Sequence, residues 1–313
     1  MVKHLKDIFW AIRPINLGII VLTLVLFRFL EHQFRSEWFS EPSDQYSYDL
    51  NLALICTILI AASGYILNDH IDRLPDKINK GRASELSPIL SIGLYIAFNI
   101  SALLLSLFIV SPIHGIFIGA IIGLFLYSTL FQWLPLIGNL TIAALSAMIP
   151  LIHILITDNY YFFTSTPATP FNGQLEQSAA RTSTLFFLYI AFAFISTLAR
   201  EIVKDIEDIE GDKAANYQTL PILVGRNISK MAAIFCLMIT SCGVGLMILN
   251  QSDLGFSATD IIVIILTMLA PLIWSIVLTY KSQVKREFKR AGNSIKISML
   301  GALIFLFYFA LTL

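Results

Sequence analysis

Apolar residues run through this chain in long blocks, and polar residues collect in the gaps between them. A helix crossing a bilayer needs roughly 17–25 mostly apolar residues. Nine blocks meet that length: 14–30, 50–67, 88–110, 113–131, 136–156, 183–199, 231–250, 258–280 and 294–313. The basic residues fall in alternate gaps. With the N-terminus in the cytoplasm, the cytoplasmic segments hold Lys3, Lys6 and Arg13, then Arg73, Lys77, Lys80 and Arg82. They also hold Arg200, Lys204, Lys213, Arg226 and Lys230, and finally Lys281, Lys285, Arg286, Lys289 and Arg290. Outer loops keep only Arg35 and Arg181, while Arg28 and Lys296 lie within spans. Because Lys and Arg favour the cytoplasmic side, the pattern predicts an all-α polytopic membrane protein with about nine transmembrane helices, N-terminus inside.

Composition agrees. The 313 residues are 57% hydrophobic and 13% charged, with mean hydropathy +0.76, whereas soluble domains carry about 25% charged residues. Net charge is zero, which gives no ground for a nucleic-acid partner. Cys56, Cys236 and Cys242 all sit in apolar blocks without a C-x-x-C pair, and read as small core residues rather than disulfides or zinc ligands. No small-residue cleavage site follows the first block, so it is read as a retained helix rather than a signal peptide. The loop 157–181 and the basic run 281–290 read as an exposed outer loop and a positive-inside anchor.

Two of the cytoplasmic gaps are acidic in the same way. Asp69, Asp72 and Asp76 recur as Asp205, Asp208 and Asp212, each 136 positions further on. At about 100° per residue, positions i, i+3 and i+7 share one stripe of a helix. Three like charges on a stripe repel unless a cation neutralises them. Mg²⁺ prefers oxygen ligands and bridges a few carboxylates to substrate phosphates, so two such stripes at span ends point to a metal–diphosphate site. Arg73, Lys77, Arg82, Arg200 and Lys204 stand ready for the remaining phosphate oxygens. A diphosphate leaving an allylic carbon creates a cation that needs a water-free, aromatic-rich pocket; the chain has 23 Phe, 11 Tyr and 4 Trp.

Finer readings follow. Glu207 and Glu210 lie off the Asp stripe and are expected to be solvated or at the lip. Asn68 flanks it and offers an amide oxygen. Pro75 disfavours helix at Leu74, which would put Asp76 in a loop, and Gly211 is a candidate helix end. Asn139, His114, His153, Asn99 and Ser63 are more often helix-packing hydrogen-bonders than ligands. Tyr127-Ser128, Asn139, Arg13 and Asn16 fall at the depth of the acidic stretches. The 136-residue offset suggests one transmembrane domain over 1–313 made of tandem four-helix units, with motifs at 68–76 and 205–212 facing a central cavity. Ordinary charged loops would explain one such stretch but hardly two at matched positions. A cation-coupled carrier should bury its carboxylates near mid-membrane, and these lie at span ends.

N-D-x-x-D-x-x-x-D after the second span and D-x-x-D-x-x-x-D after the sixth resemble the paired signatures of the UbiA-type intramembrane prenyltransferases. Arg13-Pro14, Tyr127-Ser128, Pro135 to Asn139 and Thr219-Leu220-Pro221 extend the resemblance over nearly the whole chain. It implies nine helices round a central cavity and Mg²⁺-dependent transfer of a prenyl group from a polyprenyl diphosphate to a lipophilic acceptor. By matching position, Asn68, Asp69, Asp72 and Asp76 would form one metal–diphosphate site and Asp205, Asp208 and Asp212 the other. Asp72, Asp208 and Asn68 would be central to catalysis, and Arg82 and Lys204 would bind diphosphate oxygens. Arg73, Lys77, Arg200, Arg13, Asn16, Tyr127 and Asn139 are the further substrate-binding candidates. In a prokaryote the motifs would face the cytoplasm from the cell membrane. The stretch Arg200 to Asp212 looks most like the digeranylgeranylglyceryl phosphate synthase branch, which transfers geranylgeranyl to geranylgeranylglyceryl phosphate. Gln132 stands where relatives often have Lys, and Lys80-Gly81-Arg82 replaces a Pro-containing basic continuation. These departures remove positive charge near the phosphates and keep open an aromatic acceptor of quinone or chlorophyll type.

Overall fold

The computed structural model describes residues 2–35, 44–81, 85–164 and 173–312. The chain order is α1 (Val2–Ala11), α2 (Pro14–Arg35), α3 (Asp44–Ile71), α4 (Arg73–Lys80), α5 (Pro88–Ser106), α6 (His114–Thr129) and α7 (Ile137–Thr164). There follow α8 (Gly173–Ala214), α9 (Leu220–Leu223), α10 (Arg226–Leu249), α11 (Gln251–Leu254), α12 (Ala258–Ile264), α13 (Ala270–Lys281) and α14 (Lys285–Thr312). Among the described residues eight helices are long and apolar enough to cross a membrane, α12 and α13 acting as one. The sixteen-residue α6 is a shorter apolar helix between them in sequence, so each of the nine apolar blocks is a helix.

Local chemistry sets the boundaries. Ser87 caps α5 by accepting from Leu90 N at 3.3 Å, with Pro88 directly behind it, where its missing N–H costs nothing. Ser257 and Asp260 form a reciprocal capping box on α12, satisfying donors a helix start leaves free. Between α12 and α13 the backbone widens into a π turn, Ile265–Leu269, just before Pro271. Proline has no N–H for the carbonyl four residues back, which is that of Thr267. That carbonyl lies against Gly301 of α14, where an added Cβ would come within 1.7 Å of it.

Two buried clusters organise the bundle. One gathers Ile202, Val203 and Ile206 of α8 with Leu237 of α10, Leu272 of α13 and Phe288 and Ile295 of α14. The other gathers Cys56 and Ile60 of α3 with Ala102 of α5, Phe117 of α6 and Ile156 of α7. Outward faces stay apolar: Ile92, Ile96, Ile100 and Leu104 form an exposed stripe four residues apart along α5. Such a stripe suits lipid rather than water. Cys56 is buried as expected, but Cys242 is exposed, because it faces away from both cores. Ser63 bonds Asn99 Oδ1 at 2.9 Å, the interhelical role expected of both.

Candidate active site

The first acidic stretch is helical almost throughout. Asp72 N bonds Asn68 O and Asp76 N bonds Asp72 O, both at 2.8 Å, carrying the ladder from α3 into α4. Pro75 falls in the first turn of α4, where no N–H is required. Asp76 is therefore in a helix and not in the loop the sequence suggested. The second stretch lies wholly on α8, which runs through Gly211 to Ala214, so Gly211 does not end the helix. It instead permits a close approach: an added Cβ would stand 2.8 Å from Pro75 O and 2.2 Å from Asn79 Nδ2.

Asn79 clasps the two stretches together. Its Nδ2 donates to Asp208 O and its Oδ1 accepts from Gly211 N, each at 3.1 Å. Lys285 Nζ of α14 donates to both oxygens of Asn79 at 3.1 Å. Further polar side chains then orient the carboxylates. Asn139 donates to Asp205 Oδ2 at 2.8 Å, Thr219 to Asp212 Oδ2 at 3.3 Å, and Tyr217 to Asp72 Oδ1 at 3.1 Å. Asn68 Nδ2 donates to Asp72 Oδ2 at 2.6 Å, and Arg13 pairs with Asp69. Because Asn79 of α4 bonds α8 at Asp208 and Gly211, the two stripes lie side by side. Burial holds the Asp72 carboxyl above the usual carboxylate range, with Lys204 opposing.

The cations divide. Lys204 lies 3.9 Å from Glu201 and among Tyr127 and Asp208, and Arg200 pairs with Glu201. Arg13 covers the Tyr65 ring at 5.0 Å, and Asn16 lies near the Tyr65 side chain. Tyr127 is held among Lys204, Glu201, Asp72 and Asp205. Arg73 instead ties back to the Leu86 carbonyl, and Lys77 is exposed on α4. Arg82 lies outside the described residues. Glu210 is exposed as expected, and Glu207 is half-buried at a cavity wall.

Among the described residues, no three His, Cys, Asp or Glu side chains close round one point as a metal cage. Mg²⁺ does not need one; it keeps waters and takes one or two carboxylates plus phosphate oxygens. An open pair of oxygen-only stripes beside Lys204 fits that ion. Asn79, Tyr217, Glu201 and Lys285 were missed by sequence reasoning. Tyr217 stands five positions after Asp212 and Asn79 three after Asp76, and neither spacing marks a residue type. Gln132, at the position of the absent lysine, sits 3.5 Å from the Tyr217 hydroxyl, and Trp133 stacks on Tyr217 with ring centres 6.0 Å apart.

This geometry, a bundle of apolar helices with two adjoining acidic stripes at one end, defines a membrane-embedded transferase of activated lipid groups. The chain belongs to the UbiA prenyltransferase family, whose model matches residues 36–304. It is similar to the digeranylgeranylglyceryl phosphate synthase of Methanosphaera stadtmanae, 28% identical over 265 residues that cover 83% of this chain and 87% of that one. A solved structure of digeranylgeranylglyceryl phosphate synthase in membranes superposes with a TM-score of 0.68 at 22% identity, over 99% of this chain and 100% of that one. A UbiA homologue from Archaeoglobus fulgidus bound to DMAPP and Mg²⁺ superposes with a TM-score of 0.54 at 16% identity, over 93% of this chain and 97% of that one. The protein is thus an integral, multi-pass membrane enzyme that transfers prenyl groups.

Proposed function

We propose that the enzyme transfers geranylgeranyl from geranylgeranyl diphosphate to the free hydroxyl of geranylgeranylglyceryl phosphate, making an ether lipid. The observation that carries this reading is the adjoining pair of acidic stripes, with Lys204 beside them, in a chain whose curated relatives include a digeranylgeranylglyceryl phosphate synthase. Asp69, Asp72, Asp76, Asp205, Asp208 and Asp212, with Asn68, would hold Mg²⁺, which neutralises diphosphate charge as the leaving group departs; the homologue bound to DMAPP and Mg²⁺ supports that. Lys204 and Arg200 bind the phosphate oxygens, and Asn139, Tyr217 and Thr219 fix the carboxylates in place. The helix bundle takes the prenyl chain and keeps water from the allylic carbon. The ether bond forms as the C1–diphosphate bond breaks, and the acceptor hydroxyl's proton passes to the released diphosphate.

The distribution of Lys and Arg favours the acidic end facing the cytoplasm, in the cell membrane of a prokaryote. Neighbour relations support the tandem reading: α5 packs on α3 and α7 on α6, as α10 packs on α8 and α14 on α13. Purified enzyme in detergent, given geranylgeranyl diphosphate, Mg²⁺ and geranylgeranylglyceryl phosphate, should form a diether phosphate that EDTA suppresses. A parallel panel of hydroxylated aromatic acids tests the second reading, which the Trp133–Tyr217 stack beside Asp72 favours. Product from that panel alone would move the acceptor assignment. Ion flux into liposomes without any chemical product would instead indicate a carrier.

A further inference from the structure

Beside the acidic stripes lies a cavity of about 720 Å³. One wall is α8, which presents Arg200, Lys204, Glu207 and Asp208 from one face. The other wall is the start of α14, with Lys285, Arg286, Lys289 and Lys296. The two walls are electrically different. Arg200 and Lys204 are partnered by Glu201; on α14, Lys285 donates to Asn79 and lies with Lys289 in the field of Glu207, while none of the four cations makes an ion pair among the described residues.

Helix register explains how they gather. Positions 285, 289, 292 and 296 fall within about 60° of one another round a helix, and 285 to 296 spans roughly 16 Å along it. The third of these is Gly292, whose added Cβ would meet only Val203 Cγ1, at 3.9 Å. Between Lys289 and Lys296 the wall carries only Asn293, with Gly292 leaving room beside it. Lys296 carries its charge into an apolar span, within the field of Glu201 and Glu207, where a cation points to a functional site. A positive-inside anchor would not require a concave site. Lys281 and Arg290 are exposed and lie outside the cavity lining, so they serve the anchoring role, and the other four are set apart from it.

We infer that this wall is the subsite for the phosphate of the acceptor: a phosphomonoester on a lipid, held by Arg286, Lys289 and Lys296, with Lys285 fixed on Asn79 at its edge. The inference rests on the function proposed above. The donor's diphosphate is assigned to the stripes with Lys204 and Arg200, and a second anion needs a second set of cations. A phosphomonoester carries about −1.5 to −2 charges at neutral pH, which matches several unpaired cations better than a single carboxylate does. Asp208 lies on the facing wall, so an acceptor held here has its hydroxyl beside the reacting donor. The subsite also supplies positive charge from α14 that Gln132 does not.

The test uses the full chain in nanodiscs of neutral phosphatidylcholine, comparing native enzyme with Lys289→Gln, Lys296→Gln and the double variant. KM for geranylgeranylglyceryl phosphate should rise about tenfold or more in the double variant, with a smaller change in kcat and a donor KM within twofold of native. The unphosphorylated alcohol geranylgeranylglycerol should be a poor acceptor for native enzyme and no poorer for the variant. Inorganic phosphate should compete with the acceptor, and less so in the variant. Lys281→Gln with Arg290→Gln should leave all values unchanged. An unchanged acceptor KM, an equal loss with both acceptors, or a raised donor KM would each overturn the subsite while leaving the transferase reading standing. A native enzyme that makes no product from geranylgeranylglyceryl phosphate would overturn that reading and the subsite with it.

Discussion

At the scale of single residues, the site depends on carboxylates that other side chains hold in place. Asp72→Ala and Asp208→Ala should each lower turnover at least a thousandfold, because stabilisation of the departing diphosphate by a metal is worth several kcal/mol. Circular dichroism and thermal unfolding in detergent should stay near native, since removing one of several neighbouring carboxylates relieves repulsion. Tyr217→Phe is the milder case. It removes one hydrogen bond to Asp72 without altering shape, and a bond to a charged group contributes about 1.5–3 kcal/mol. The kcat/KM should fall by about tenfold or more, with the fold intact, in steady-state assays with varied donor. Asn79 shows how such residues act together, for it joins α4, α8 and α14 by four hydrogen bonds.

At the scale of elements, backbone contacts set which substitutions the bundle tolerates. Gly301→Ala should lower thermal stability, because its methyl meets the Thr267 carbonyl and neither helix backbone yields as a flexible side chain would. Overpacking typically costs 1–3 kcal/mol, and differential scanning fluorimetry of the detergent-solubilised protein reads it directly. At the opposite end of the bundle, Glu31 Oε2 of α2 accepts from Thr157 at 2.9 Å and lies 2.7 Å from His153 Nε2 of α7. Tyr46 of α3 donates to the same oxygen. All four residues are buried. Tyr46 and Thr157 also bond each other at 3.1 Å, so Glu31→Leu chiefly deprives His153 of its partner, at about 1–3 kcal/mol; it should unfold at lower temperature, whereas Glu31→Gln retains an acceptor and should lose less. The outer ends of the spans thus hold buried polar clusters as well as loops.

At the scale of the whole molecule, the positions of the charges predict an orientation. Single cysteines introduced at Lys213 and Gln283 should react with an impermeant maleimide from the same face of the membrane, and one at Asp253 from the other. All three residues are exposed. In right-side-out vesicles only the third should label. Labelling of all three from one side would break the topology.

What the chain determined by itself is what local physics writes into it. Nine apolar blocks forecast nine helices because a bilayer imposes a length on each, and paired D-x-x-D-x-x-x-D stretches forecast two acidic stripes because helix period places them. The positions of Asp76 and Gly211 were misjudged from their neighbours. Proline is tolerated in a first helical turn, and glycine can serve a close approach as well as a helix end. Only the tertiary structure decided that Arg73 turns to the Leu86 carbonyl, that Tyr217 reaches Asp72, and that a basic run read as an anchor closes a cavity against Asp208. Those outcomes depend on which helices are neighbours and how they are rotated. Side chains far apart in sequence meet by packing, which no local period encodes.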